Sequence, residues 1–334
     1  MNNSLVMLGL LLLLGCAPNM EAVRHKGRAL GTTYTVQYAP LKANYEEVQK
    51  GIDSLFDVLN QSMSTYLPDS AISRINKGDT TVVVDTHFVA VYQKAAQVWQ
   101  QTRGYFDPTV GALVNAYGFG PEKPLGQLTK AQRDSLLVLT GWDKTTLTPQ
   151  NKIRKKHPRI YFDFNALAKG YVVDQIALYL QQLGSKNHLV EIGGELVAQG
   201  NSLRSKKPWA IAIENPNPET DQALITTLPL VNQAIATSGN YRKNRIDPKT
   251  GQRFVHSVNP LNGLALPSPV LSASVLAPDC MTADAWATAL MVMPIEESKP
   301  LIENDPNLEA YWIVADSTGY KEIATTGFFG TETR

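Results

Sequence analysis

Cysteine is scarce: the 334 residues contain only Cys16 and Cys280. Two cysteines build neither a disulfide framework nor a zinc cluster. Neither sign of charge is in excess, with 31 Lys and Arg against 30 Asp and Glu and a net charge of +1. A nucleic-acid partner would call for a basic face, so that class is set aside. The five histidines (His25, His87, His157, His188, His256) are scattered, which argues against a His-rich metal site. Any metal should therefore be a hard cation held by oxygen. The patterns G-x-x-x-x-G-K-[ST], G-x-G-x-x-G after a strand, H-E-x-x-H, C-x-x-C and G-x-S-x-G are all missing. There is no internal repeat and no low-complexity linker. No apolar run reaches the roughly 20 residues that a membrane-spanning helix needs. What is present is 43% hydrophobic and 18% charged residues, a composition that can bury a large core.

Leu5 to Gly15 (LVMLGLLLLLG) has the length of a signal-peptide core. It runs into Leu13-Leu14-Gly15-Cys16, which resembles the lipobox of bacterial lipoproteins, where cleavage leaves a lipid-bearing cysteine at the new N-terminus. The alternative is a plain secretory segment with an incidental cysteine. The reading is a signal peptide over 1–15, a lipidated tether over 16–27 and a folded domain over 28–330. Lipid on Cys16 would hold a soluble body on the periplasmic side of a bacterial membrane, at the surface and not within the bilayer. Cys280 then reads as a small buried apolar residue.

Strand and helix signals interleave along the body. β-Rich runs predict strands at 33–38, 80–84, 159–163, 188–199 (two, around Gly193-Gly194), 209–213, 233–237, 254–258, 270–276 and 310–315. Apolar spacing predicts helices over 45–60, 88–99, 166–183 and 282–293. Glycine and proline between Gly104 and Gly126 predict an irregular loop region. Adjacent strand pairs favour an α+β fold with antiparallel or mixed sheets and packed helices over a regular βαβ array.

Two patterns carry chemistry. In TADAWATAL, Asp284 and Thr288 stand four apart, so one helix face offers a carboxylate and a hydroxyl together. Mg²⁺ takes one or two carboxylates and fills its shell with other oxygens. The plain alternative is an acid complementing the helix dipole and a threonine bonded back to a carbonyl. In DFNALAKG, Asp163 ends a strand and Lys169 opens a helix, a placement able to hold a nucleotide and its phosphate. An N-cap aspartate and a solvated lysine would look the same.

Six stretches in order, GTTYTV (31–36), MSTYLPDSAISRIN (63–76), GYFDPTVGALVNAYGFG (104–120), DFNALAKGYVVD (163–174), EIGGEL (191–196) and DCMTADAWATAL (279–290), resemble the ApbE family of FAD:protein FMN transferases. ATSGNYRK (236–243) and HSVNPLNG (256–263) add to the likeness, which spans about 28 to 326. The resemblance implies an ApbE-like fold with the cofactor site between two lobes. It implies Mg²⁺-dependent cleavage of FAD, transfer of FMN through a phosphoester to a Thr or Ser of an acceptor protein, and release of AMP. It further implies that the metal ligands are Asp284, Thr288 and the backbone carbonyl of Ala166. Flavin contacts carry over to Leu30, Tyr66, Tyr105, Phe106, Asp107, Asp163, Lys169 and Val258. Leu30 stands where the family commonly has Met. Asp107 would accept hydrogen bonds from adenine or ribose, and Tyr66 would stack on a planar ring. His256 is the one histidine in a matched loop segment and suits proton transfer near neutrality, with metal-bound Asp284 as the other candidate base. The implied acceptors are subunits of membrane redox complexes. Two rivals stay open: an FAD pyrophosphatase using the same site, and a surface lipoprotein that only binds flavin.

Overall fold

A computed structural model describes residues 21–216, 223–240, 244–246, 251–317 and 319–330. The signal segment, Cys16, the first part of the tether and residues 241–243 of ATSGNYRK lie outside the described residues. The chain begins with β1 (Val23–Ala29), β2 (Thr32–Tyr38), α1 (Tyr45–Met63), α2 (Ala71–Asn76), α3 (Thr86–Gln101), α4 (Gly111–Tyr117) and α5 (Lys130–Leu137). It continues with β3 (Thr145–Leu147), β4 (Ile153–Lys155), α6 (Ala168–Gln182), β5 (His188–Ile192), β6 (Glu195–Gln199), β7 (Trp209–Glu214) and β8 (Leu224–Leu230). It closes with β9 (Gln233–Gly239), β10 (Asn244–Ile246), β11 (Arg253–Val255), β12 (Val270–Ala277), α7 (Cys280–Leu290), α8 (Ile295–Glu303), β13 (Glu309–Asp316) and β14 (Gly319–Ala324).

Eight strands form one sheet in the order β1-β2-β5-β6-β9-β12-β13-β14, and every neighbouring pair is antiparallel. The chain is therefore of the α+β class. β3–β4, β7–β8 and β10–β11 are separate two-stranded ribbons. Two tight hairpins set the register at one end of the sheet. Ala29 pairs with Thr32 across Leu30-Gly31, and Ile192 pairs with Glu195 across Gly193-Gly194. All four turn residues have positive φ, from +52 to +99, which matches the twist of two-residue hairpins. Leu30 holds φ +52, at a steric cost of roughly 1–2 kcal/mol for a side chain.

One face of the sheet is covered by helices. α1 starts at a capping box between Asn44 and Glu47 and buries Val48, Ile52, Phe56, Leu59 and Met63. α6 and α7 pack closely on the same face. Gly170 permits this, because an added Cβ there would lie 2.3 Å from the Cys280 carbonyl oxygen. The other face is covered by the β7–β8 ribbon, which buries Trp209, Ile211, Ile213, Leu228 and Leu230 against Ile235, Tyr311 and Ile313. A third, small cluster joins Leu113 and Tyr117 of α4 to Phe254, Val258 and Ala265. No helix among the described residues is long and apolar enough to cross a membrane.

Several boundaries differ from expectation. Residues 23–27, assigned to the tether, belong to β1: its inward position is His25, fully buried between Tyr38 and Tyr45, so the alternation lacks an apolar signature. Residues 80–84 bury Val82 and Val84 but join no ladder. At 159–163 the backbone is satisfied by a side chain: Asn76 accepts from Phe162 N–H and donates to the Phe162 carbonyl, so only a parallel bridge from Tyr161 to Val110 forms. The Gly104–Gly126 region contains α4. The strand expected over 254–258 is limited to Arg253–Val255, and α7 spans Cys280–Leu290 where 282–293 was expected.

Candidate functional site

The site begins where α6 and α7 start. α6 has no side-chain cap of its own at Leu167. Its Gly170 N–H instead donates to Asp284 Oδ2 at 3.0 Å. In return, Asp174 of α6 accepts from Cys280 N–H and Met281 N–H at 2.8 and 2.9 Å, while Asp279 accepts from Thr282 N–H. Each helix thus satisfies the other's orphaned donors. This reciprocal capping locks Asp284 beside the first turn of α6.

Lys169 and Glu195 complete the cluster as a close ion pair. The two-residue turn keeps Glu195 on the same inward side as Ile192, where it is 4% exposed. Burial pulls the Lys169 ammonium down, but the Asp284 and Glu195 carboxylates outweigh it and hold the group above its ordinary value. Burial drives Asp284 up to about 7, opposed by Lys169 and the Gly170 N–H and reinforced by Glu195. Burial likewise raises Asp174 to about 7 against its two backbone donors. Glu195 Oε2 is buried without a hydrogen-bond partner among the described residues.

Next to this cluster lies a small cavity, partly open to solvent. Its walls come from four separate stretches: Tyr105, Phe106 and Asp107 before α4, Ala166 before α6, Ser257 and Val258 in the loop after β11, and Thr288 on α7. Six residues named from the sequence therefore meet on one surface: Tyr105, Phe106, Asp107, Ala166, Val258 and Thr288. Thr288 stands one helical turn beyond Asp284.

The remaining named residues are placed differently. Tyr66 is 60% exposed, which excludes a core role. Its hydroxyl is raised by partial burial and then by the nearby charge of Asp163. Asp163 sits against the cavity through its N–H to the Pro108 carbonyl, and its Oδ1 accepts from Asn165 N–H. His256 lies beside the lining residues Ser257 and Val258, its ring edge-on to Phe119 at 6.5 Å. Leu30 sits at the β1–β2 turn and packs partly buried against the main core, not on the cavity wall. Asp107 lines the cavity and is also engaged within the protein. Its Oδ1 accepts from the Thr109 N–H and hydroxyl and its Oδ2 from Trp142 N–H, so it organises the loop that carries Tyr105 and Phe106.

Among the described residues no group of three or more His, Cys, Asp and Glu could hold a metal. A magnesium site asks for less. Asp284 uses one oxygen on Gly170, and its other oxygen has no hydrogen-bond partner among the described residues. With the Thr288 hydroxyl and the Ala166 carbonyl it makes an all-oxygen donor set, which fits a hard cation.

Glu195, Asp174 and Ser257 were missed from the sequence. For Glu195 the signal existed: His188, Val190 and Ile192 alternate inward, and a two-residue turn carries that parity onto position 195. A carboxylate at an inward position calls for a cation, and Lys169 supplies it.

The model of the ApbE family matches residues 30–312. The FAD:protein FMN transferase of Vibrio cholerae is 38% identical over 334 residues, covering 98% of this chain and 98% of that protein. The one from Haemophilus influenzae is 35% identical over 326 residues, covering 95% and 93%. The solved structure of flavin transferase ApbE from Vibrio cholerae superposes with a TM-score of 0.83 at 37% identity, covering 92% of this chain and 98% of that one. The apo form of the Pseudomonas stutzeri flavinyl transferase ApbE gives 0.81 at 27% identity, with 93% and 97% covered.

Proposed function

Because the chain belongs to the ApbE family and is a transferase of the FAD:protein FMN kind, we propose a specific course for its reaction. FAD lies in the cavity with its ring toward Tyr66 and its pyrophosphate toward the beginnings of α6 and α7. An acceptor Thr or Ser hydroxyl oxygen attacks the FMN phosphorus. The bond from that phosphorus to the bridging oxygen breaks, and AMP leaves with the oxygen. The hydroxyl proton passes to His256. FMN remains on the acceptor through a phosphoester.

Asp284, Thr288 and the Ala166 carbonyl would hold Mg²⁺, which when bound neutralises pyrophosphate charge. Lys169 adds a fixed positive charge, kept protonated and oriented by Glu195. Phe106 and Val258 give the cavity an apolar wall that excludes water from the reacting centre. The observation that carries this reading is the convergence of four distant stretches on one cavity beside the Asp284–Lys169–Glu195 cluster.

We also place the chain on the periplasmic face of a bacterial membrane, held by lipid on Cys16, with flavin-bearing subunits of membrane redox complexes as acceptors. Incubation with FAD, Mg²⁺ and an acceptor peptide tests the chemistry. A peptide that gains the mass of FMN supports transfer; AMP released equally without peptide means hydrolysis.

A further inference from the structure

The sheet has two ends of opposite character. The hairpin turns Leu30-Gly31 and Gly193-Gly194 lie at the end that carries Glu195 and the catalytic cluster. At the other end Val23, Tyr38, His188 and Gln199 stand in register. The turn 184–187 and the loop 200–207 meet there: Asn201 N–H donates to Asn187 Oδ1, Ala39 N–H to the Asn187 carbonyl, and Gly200 lies against the Lys186 carbonyl.

This corner is rich in basic side chains. Residues 22–45, 175–190 and 196–213 contain no carboxylate. Arg24, Lys26, Lys186, Arg204, Lys206 and Lys207 are all exposed there. None of the six forms an ion pair among the described residues. The carboxylates that flank the corner are Glu21, ahead of β1, Glu46 and Glu47 in the first turn of α1, next to the Tyr45 ring that stacks on His25, and Glu191, two strands from Lys26 and engaged by Gly194 N–H. Guarding a sheet edge does not explain the pattern. The opposite edge, β14, manages with Lys321 and Glu322 side by side, and four of the six cations lie off the edge strand altogether. In a chain of net charge +1 the local excess is marked.

The corner is also where the chain arrives from Cys16. Seven residue steps separate Cys16 from Val23, a reach of at most roughly 25 Å. We propose that this basic corner docks on an anionic phospholipid surface, an inference that rests on the lipid-anchor reading. Docking stands the strands away from the membrane and turns the catalytic end outward, roughly 20 Å up the strands, toward a protein acceptor. Each basic side chain at an anionic surface strengthens attachment about fivefold, and salt weakens it.

The test uses the full, lipid-bearing chain on vesicles of pure phosphatidylcholine or of phosphatidylcholine with phosphatidylglycerol, with lysine labelling rates read by mass spectrometry. Lys26, Lys186, Lys206 and Lys207 should label several-fold more slowly on the anionic vesicles, the protection should vanish in high salt, and Lys130 should label equally on both. Intact mass reports the lipid on Cys16. Lipid present with equal labelling of the four lysines would overturn docking and leave the anchor standing. A Cys16 free of lipid would overturn both.

Discussion

On its outer face the sheet meets the β7–β8 ribbon through Trp209, Ile211, Ile213, Leu228 and Leu230, side chains without formal charge. On its inner face, within one helix crossing, it gathers Asp174, Asp284, Glu195, Lys169 and Cys280. The outer contact is what area burial alone would select, at about 25 cal/mol per Å² of apolar surface. The inner one works against that gain, since buried charges cost stability unless paired and hydrogen-bonded. Here the cost is offset by reciprocal capping of α6 and α7 and by the Lys169–Glu195 pair. Charge is thus buried on the face that borders the cavity, and the opposite face supplies apolar packing.

If that division is right, substitutions on the two faces should separate activity from stability. The largest effect is expected from Asp284→Ala: Mg²⁺-dependent AMP release from FAD should fall by more than about 100-fold, beyond the loss of an outer-shell partner. Gly170→Ala comes next. Its methyl meets the Cys280 carbonyl, so α6 and α7 must part; we expect a loss of about 1–3 kcal/mol in urea unfolding together with weaker activity. Ile211→Ala on the outer face should cost a comparable or larger amount of stability, about 2–4 kcal/mol, and leave turnover per folded molecule unchanged. A matching fall in turnover would remove the distinction between the faces. Tyr66→Ala, at an exposed position, should weaken FAD binding several-fold by equilibrium titration without shifting the thermal midpoint.

The smallest effect concerns pH. Burial keeps His188 neutral and pushes it down to about 4, so its contribution to stability is present above about 6.5 and is lost as pH falls toward 4. Asp174 has the opposite sign: raised to about 7, it favours the fold below about 4 and loses that advantage as pH rises toward 7. The two slopes oppose each other between pH 4 and 6.5. Asp174→Asn should therefore steepen the loss of stability on acidification, measured as urea midpoints at pH 4.5 and 6.5; parallel midpoints in the two proteins would contradict the assignment.

Much of this arrangement was legible in the residues. The period of α1 and the glycine pair at 193–194 gave their elements directly, and the ordered family segments brought Tyr105, Phe106, Ala166, Val258 and Thr288 to one cavity. What stayed hidden shares a cause: polar side chains doing the work of backbone or core. His25 replaces an apolar residue inside β1, Asn76 replaces a neighbouring strand at Phe162, and Asp174 caps a helix a hundred residues away. The internal partners of Asp107, Thr109 N–H and Trp142 N–H, were likewise not legible. Partners this distant in sequence leave no local period to read.

On the proposed reading, Asp284, Thr288 and the Ala166 carbonyl would hold Mg²⁺ during FAD cleavage. Thr288→Val keeps the side-chain volume and deletes one of those oxygens. AMP release from FAD, followed as Mg²⁺ is titrated, should need a markedly higher concentration for half-maximal rate in the variant than in the parent chain. Superimposed titration curves would contradict the account.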